Sequence, residues 1–107
     1  MHCERTLPRH REVGNGSGAA ATLDTLGYAH QHLGDHARAA THYRRAIEAW
    51  RRVGDLYCEA EATVHLGDCQ HAAGAGAEAR ESWRAALAIL EGIGHADADA
   101  VRAKLTG

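Results

Sequence analysis

Nine histidines and three cysteines in 107 residues are the side chains best able to hold a metal or act as a nucleophile, so their spacing decides which chemistry is open to this chain. His30, His32 and His36 cluster, but Gly34-Asp35 turns the chain between the last two. His65 and Cys69 stand one helical turn apart, two ligands where structural zinc wants four, and no C-x-x-C or H-E-x-x-H spacing supplies the others. Cys69 with His65 or His71 makes a thiol and base on paper. Helical neighbours of that kind lack the water-excluded cleft and the third, orienting group that nucleophilic catalysis requires. Gly14-Asn15-Gly16-Ser17-Gly18 has the glycines of a phosphate loop without its lysine, and it follows no strand pattern. The sequence therefore offers no catalytic, cofactor-binding or metal-ligating residue, and the chain reads as a non-enzyme.

Composition excludes other classes. A formal charge of -2 leaves no electrostatic footprint for direct nucleic-acid binding or for an anionic membrane. The Arg44-Arg45 and Arg51-Arg52 pairs are interleaved with Glu48, Asp55 and Glu59 and read as a solvated helix face. No apolar run approaches a membrane span, and residues 1–20 lack the apolar core of a signal peptide. Cys58 and Cys69 fall on one expected helix, roughly 16 Å apart, beyond disulfide reach. Reduced thiols and a cytoplasmic location are the expectation.

The elements that would position these side chains are written twice. Leu26-Gly27 recurs as Leu66-Gly67, Gly34 as Gly74, Ala39 as Ala79, Tyr43 as Trp83, Ala46 as Ala86, Ile47 as Leu87 and Gly54 as Gly94. A fixed period of forty residues marks a solenoid, in which each unit buries its apolar face by stacking on the next. Ala39, Tyr43, Ala46, Ile47, Trp50 and Val53 advance in steps of three and four, and residues 79–93 copy them. The periodicity predicts helices over about 18–33 and 56–73 and along residues 39–53 and 79–93, with breaks near 34–35, 54–55 and 74–76. Gly34-Asp35 and Gly54-Asp55 each supply a helix stop and then an N-cap. Asp97 is expected to cap a last short helix. Val13-Gly14 aligns with Val53-Gly54, so residues 1–17 read as a polar, frayed segment carrying the end of a preceding helix. Residues 18–107 form the repeat domain.

Glycine inside a helix costs about 1 kcal/mol relative to alanine. Gly27 and Gly67 therefore imply close approach of a partner helix, with the alanines of the second helix serving the same end. Tyr43 and Trp83 are expected to fill the wider space between successive pairs.

Leu23, Leu26-Gly27, His30, Ala39, Tyr43 and Ala46, with Thr63, Leu66-Gly67, Gln70, Ala79, Trp83 and Ala86 in the second copy, resemble the tetratricopeptide repeat, whose first helix carries Leu-Gly and whose second carries Ala, an aromatic and Ala. The period here is forty rather than thirty-four, and the closing proline is replaced by Arg51 and Glu91. The resemblance implies an all-α, right-handed solenoid of helical hairpins, with two full repeats and a partial third acting as a capping helix. It also implies that A-helix residues not used in packing face a concave groove. By position these are Asp24, Tyr28, Gln31 and His32, then Glu61, Val64, Asp68 and His71. That surface lacks the Lys/Arg cluster that would clamp a peptide carboxylate.

The stretches at 23–30, 42–47 and 82–90 are similar to the C-terminal repeats of actinobacterial antibiotic-pathway transcriptional regulators. In those proteins a DNA-binding part and an NB-ARC ATPase precede the array; neither pattern occurs here. The resemblance implies a non-catalytic protein–protein interaction module, the C-terminal part or a fragment of a larger regulator. The alternative is a free-standing adaptor that binds a peptide or protein in its groove. Solenoids need neighbours at both ends, so self-association through the N-terminal end is a further expectation.

Overall fold

A computed structural model describes residues 11–106 of the chain, with side chains from residue 17 onward. The described residues form five helices and no strand: α1 (Arg11–His32), α2 (His36–Val53), α3 (Leu56–Ala72), α4 (Gly76–Gly92) and α5 (Asp97–Thr106). Each packs chiefly on its neighbours in the chain, α1 on α2, α2 on α3, α3 on α4 and α4 on α5. This is the expected succession of two hairpins and a lone third A helix.

The turns explain why the chain folds back at these points. Gly34, Gly54, Gly74 and Gly94 fall every twenty residues and all adopt positive φ, between 68° and 88°. A left-handed residue after the last helical turn satisfies the orphan carbonyls at little cost only when it is glycine. Asp35 and Asp55 then restart the chain, their carboxylates accepting from the backbone N–H of Arg38 at 3.2 Å and of Cys58 at 3.0 Å. At the third turn the capping position is Ala75, with no side-chain acceptor.

Two expectations about the ends are corrected. Asp97 does not cap α5 but is its first residue, and its carboxylate accepts from the Tyr57 hydroxyl at 2.9 Å. The glycine-rich stretch at 14–18, most of which falls in the segment expected to be frayed, lies within α1. Helical propagation from Ala19-Ala20-Ala21, anchored by the fully buried Ala20, outweighs the glycine cost there. Val13 and Gly14 accordingly belong to α1 and not to a separate preceding helix. Residues 1–10 of the expected N-terminal segment lie outside the described residues.

Cys58 and Cys69 are both buried. Cys69 is a free thiol. Cys58 is disulfide-bonded, which corrects the expectation of a reduced thiol there.

Packing follows the repeat register. α3 is gripped from both sides, so Cys58, Ala60, Ala62, Thr63, Leu66, Gly67 and Cys69 are buried around its circumference, whereas α2 buries one stripe built on Ala39, Tyr43, Ala46, Ile47 and Trp50. One core joins α1, α2 and α3; a second joins α3, α4 and α5 through Ala60, Ala79, Trp83, Leu90, Ala98 and Val101. The glycines do mark close approach, of an aromatic ring at both positions and, at Gly67, of the Ala79 backbone as well. A Cβ on Gly27 would stand 2.9 Å from the Tyr43 ring, and one on Gly67 would stand 2.5 Å from Trp83 Nε1. Tyr43 and Trp83 thus lie against the glycine within each hairpin, not simply in the gap between hairpins. The flat ring occupies the volume a side chain would take.

Candidate functional site

The A helices α1, α3 and α5 present one face of the molecule, and two clefts open along it. The first, about 250 Å³, is lined by Asp24, Thr25, Tyr28, Tyr43, Glu61 and His65. The second, about 270 Å³, lies between α3 and α5; its walls include Tyr57, Glu61, Val64, His65, Asp97, Val101 and Lys104. Glu61 and His65, one turn apart on α3, belong to both. The clefts therefore adjoin across α3 and make one groove spanning three A helices. Hydrophobic and aromatic walls with a few convergent polar groups are the usual constitution of a binding site.

Each polar group is held by the packing beneath it. Asp24 is half-buried; its Oδ2 accepts from Trp50 Nε1 at 2.8 Å, which ties the floor of the first cleft to α2. Its Oδ1 is buried and has no protein hydrogen-bond partner. Burial raises the carboxyl's pKa above the ordinary value, opposed by the Trp50 hydrogen bond and by His65 and reinforced by the nearby Glu61. The Tyr43 ring stacks on His65 at 5.4 Å, and its hydroxyl donates to Gln31 Oε1 at 2.9 Å. Tyr28 is 57% exposed and leans on His32, ring centres 4.1 Å apart.

The second cleft closes on α5. Tyr57 donates to Asp97, and Lys104 Nζ reaches Asp68 Oδ1 at 3.2 Å while standing 5.6 Å from the centre of the Trp83 ring. Asp68 Oδ1 also accepts from Trp83 Nε1 at 3.2 Å.

Of the eight residues singled out in the sequence, Asp24, Tyr28 and Glu61 line the first cleft, and Glu61 and Val64 the second. Gln31, His32, Asp68 and His71 line neither. Gln31 and Asp68 accept from the aromatic residues of the B helices, His32 packs on Tyr28, and His71 packs on Trp83 at 5.6 Å. The sequence reading missed Thr25, Tyr43, His65 and the whole α5 wall. His65 stands one turn after Glu61, and Asp97, Val101 and Lys104 stand forty residues after Tyr57, Glu61 and Val64. Extending the period to a third A helix finds them.

Among the described residues no three His, Cys, Asp or Glu side chains are grouped to hold a metal ion. The Cys69 thiol is buried, and burial, with Asp68 adding, raises its pKa to about 11. A group so placed is a packing element, not an activated nucleophile. No described helix is long and apolar enough to cross a membrane. On the B helices, Arg51 pairs with the buried Glu59 at 3.0 Å, joining α2 to α3, so this part of the arginine stripe is structural and not merely solvated.

The family model described as "Tetratricopeptide repeat" matches residues 1–52 and again residues 18–92. No curated protein and no solved structure matches the chain.

Proposed function

This chain belongs to the tetratricopeptide repeat family, non-catalytic repeats that mediate protein–protein contact, and on that premise we propose that its A-helix face is the surface on which a protein partner is received. The observation that carries this reading is the pair of adjoining clefts sharing Glu61 and His65. A groove crossing three helices suits an extended segment better than a compact small molecule. Asp24, Tyr28, Glu61 and Val64 would contact the partner, while Gln31, His32, Asp68 and His71 would hold the surrounding side chains in place. The protein is read as cytoplasmic and as working without direct nucleic-acid contact. Its repeat domain, residues 18–107, would serve as the C-terminal part of a larger transcriptional regulator, on the strength of the motifs at 23–30, 42–47 and 82–90. Leu26 on α1 and Leu33 in the turn that follows it are 39% and 79% exposed, which supports association through the N-terminal end.

Selection of displayed nine-residue peptides on the immobilised chain tests the groove reading. Selected peptides should lose affinity for Tyr28→Ala and Val64→Glu variants and keep it for Arg84→Ala on the opposite, B-helix side. Peptides indifferent to the first two substitutions would move the binding surface elsewhere.

A further inference from the structure

Charge is unevenly divided among the first three helices, whereas α4 and α5 carry both signs. From residue 17 to 32 and from 56 to 72, the A helices carry Asp24, Glu59, Glu61 and Asp68 and neither lysine nor arginine, whereas α2 carries Arg38, Arg44, Arg45, Arg51 and Arg52 against Glu48. A nearly neutral net charge thus conceals acidic α1 and α3 walls at the first cleft and a basic α2. Glu59 is neutralised by Arg51 and Asp68 by Lys104. Glu61 is exposed and has no ion-pair partner among the described residues, and the only polar partner of Asp24 is the Trp50 indole. Both line the first cleft, together with Tyr28 and Tyr43.

Beside the second cleft the molecule seats a cation of its own. Lys104, on the cleft wall, pairs with Asp68 and stands over the ring of Trp83, two residues that line neither cleft. A carboxylate together with an aromatic face is a favourable seat for an ammonium or guanidinium group. The first cleft has the same two elements, two carboxylates and the exposed ring of Tyr28, and neither lysine nor arginine lines it. Resting on the groove reading above, we propose that the first cleft is a seat for a lysine or arginine side chain of the bound segment, so that the partner is a basic peptide. Glu61 supplies the exposed charge, the Tyr28 ring covers the aliphatic stem, and Asp24 sets the potential at the base. The acidic face steers such a segment from solution, and screening by salt weakens it.

Peptide selection on the whole chain, repeated with Glu61→Lys and Asp24→Asn variants, tests this. Glu61 is exposed and asparagine can still accept from Trp50, so both variants should keep the native helix content by circular dichroism. Enrichment of Lys and Arg in the selected peptides, affinity lower by at least about tenfold with Glu61→Lys and falling with added sodium chloride, is the expected result. Peptides that need Tyr28 but show no basic enrichment would overturn the cation seat and leave the groove reading standing. An absence of any groove-dependent peptide would overturn both. Concentration-dependent self-association abolished by Arg44→Glu with Arg45→Glu would overturn the peptide as occupant, because the groove would then be receiving the basic α2 face of a second copy.

Discussion

Replacing Gly67 by alanine sets helix propensity against packing, and the structure says which prevails. Alanine favours the interior of a helix over glycine by about 1 kcal/mol. The new Cβ would lie 2.5 Å from Trp83 Nε1, 2.6 Å from its Cδ1 and 3.2 Å from the backbone oxygen of Ala79. Real carbon atoms do not approach so closely, so the indole or α4 must shift. Overpacking of this kind costs about 1–3 kcal/mol. Displacing Trp83 also endangers its hydrogen bond to Asp68, and a bond to a charged acceptor is worth about 1.5–3 kcal/mol. Set against the propensity gain, the net loss is about 1.5–5 kcal/mol. For a chain of this size that lowers the melting temperature by at least about 6 °C.

Three glycines form a graded series. Gly27→Ala meets the Tyr43 side chain first, at 2.9 Å, and should cost less than Gly67→Ala. Gly18→Ala meets nothing within 4 Å and should be neutral or stabilising by up to about 1 kcal/mol. Urea titrations of the three variants should rank them Gly18→Ala, then Gly27→Ala, then Gly67→Ala in falling stability. In a Trp83→Leu background the cost of Gly67→Ala should shrink, because the clashing partner is gone. A Gly67→Ala protein as stable as the parent would refute the account of these glycines as seats for the aromatic rings.

Further outcomes follow from the capping, burial and charge described above. Ala75 has nearly the backbone angles of Asp35, φ -96° and ψ 67° against -89° and 77°. Ala75→Asp should therefore add a cap to α4 and raise stability by about 1 kcal/mol in a urea titration. Cys69, buried and with its thiol raised to about 11, should resist iodoacetamide at pH 8 in the native protein and react on addition of urea, as followed by mass spectrometry; equal rates in both states would contradict its burial. Asp24 has a folded pKa raised above the ordinary 3.8, so its ionised form is disfavoured in the native state. Its contribution to stability should improve as pH falls through the raised pKa towards 3.8 and be least favourable above it. Asp24→Asn should accordingly be relatively more stable at pH 7 than at pH 4, measured as the difference in urea midpoint; a difference independent of pH would remove the burial argument. If α1 mediates association, sedimentation velocity should show larger species at higher concentration, lost with Leu33→Glu; a monomer at all concentrations would end that reading.

The register of the fold was legible in the sequence because it is carried by short-range rules. A glycine that must turn left-handed, an aspartate that must cap and an alanine spaced three or four residues from the next each declare themselves locally. Together they placed the turns at Gly34, Gly54, Gly74 and Gly94 and the hairpins between them. Composition misled at residues 14–18, where helical continuity with the alanines that follow prevails over the preference of isolated glycines. At Asp97 a long-range partner, the Tyr57 hydroxyl, captured a carboxylate that local rules assign to a cap.

The groove is where tertiary structure decided most. Position in the repeat put Asp24, Tyr28, Gln31, His32, Glu61, Val64, Asp68 and His71 on the A helices. It could not say which of them the B-helix aromatics would claim. Tyr43 and Trp83 each carry one hydrogen-bonding group into a packed interior, where it must find an acceptor. Tyr43 took Gln31, Trp83 took Asp68, and Trp50 took one oxygen of Asp24. Sequence spacing fixed the faces of the helices, because a face depends only on the helical period. Which polar groups were left facing the clefts depended on how neighbouring helices satisfied their buried donors, a constraint met between residues twelve to twenty-six positions apart and so written in no local stretch of the chain.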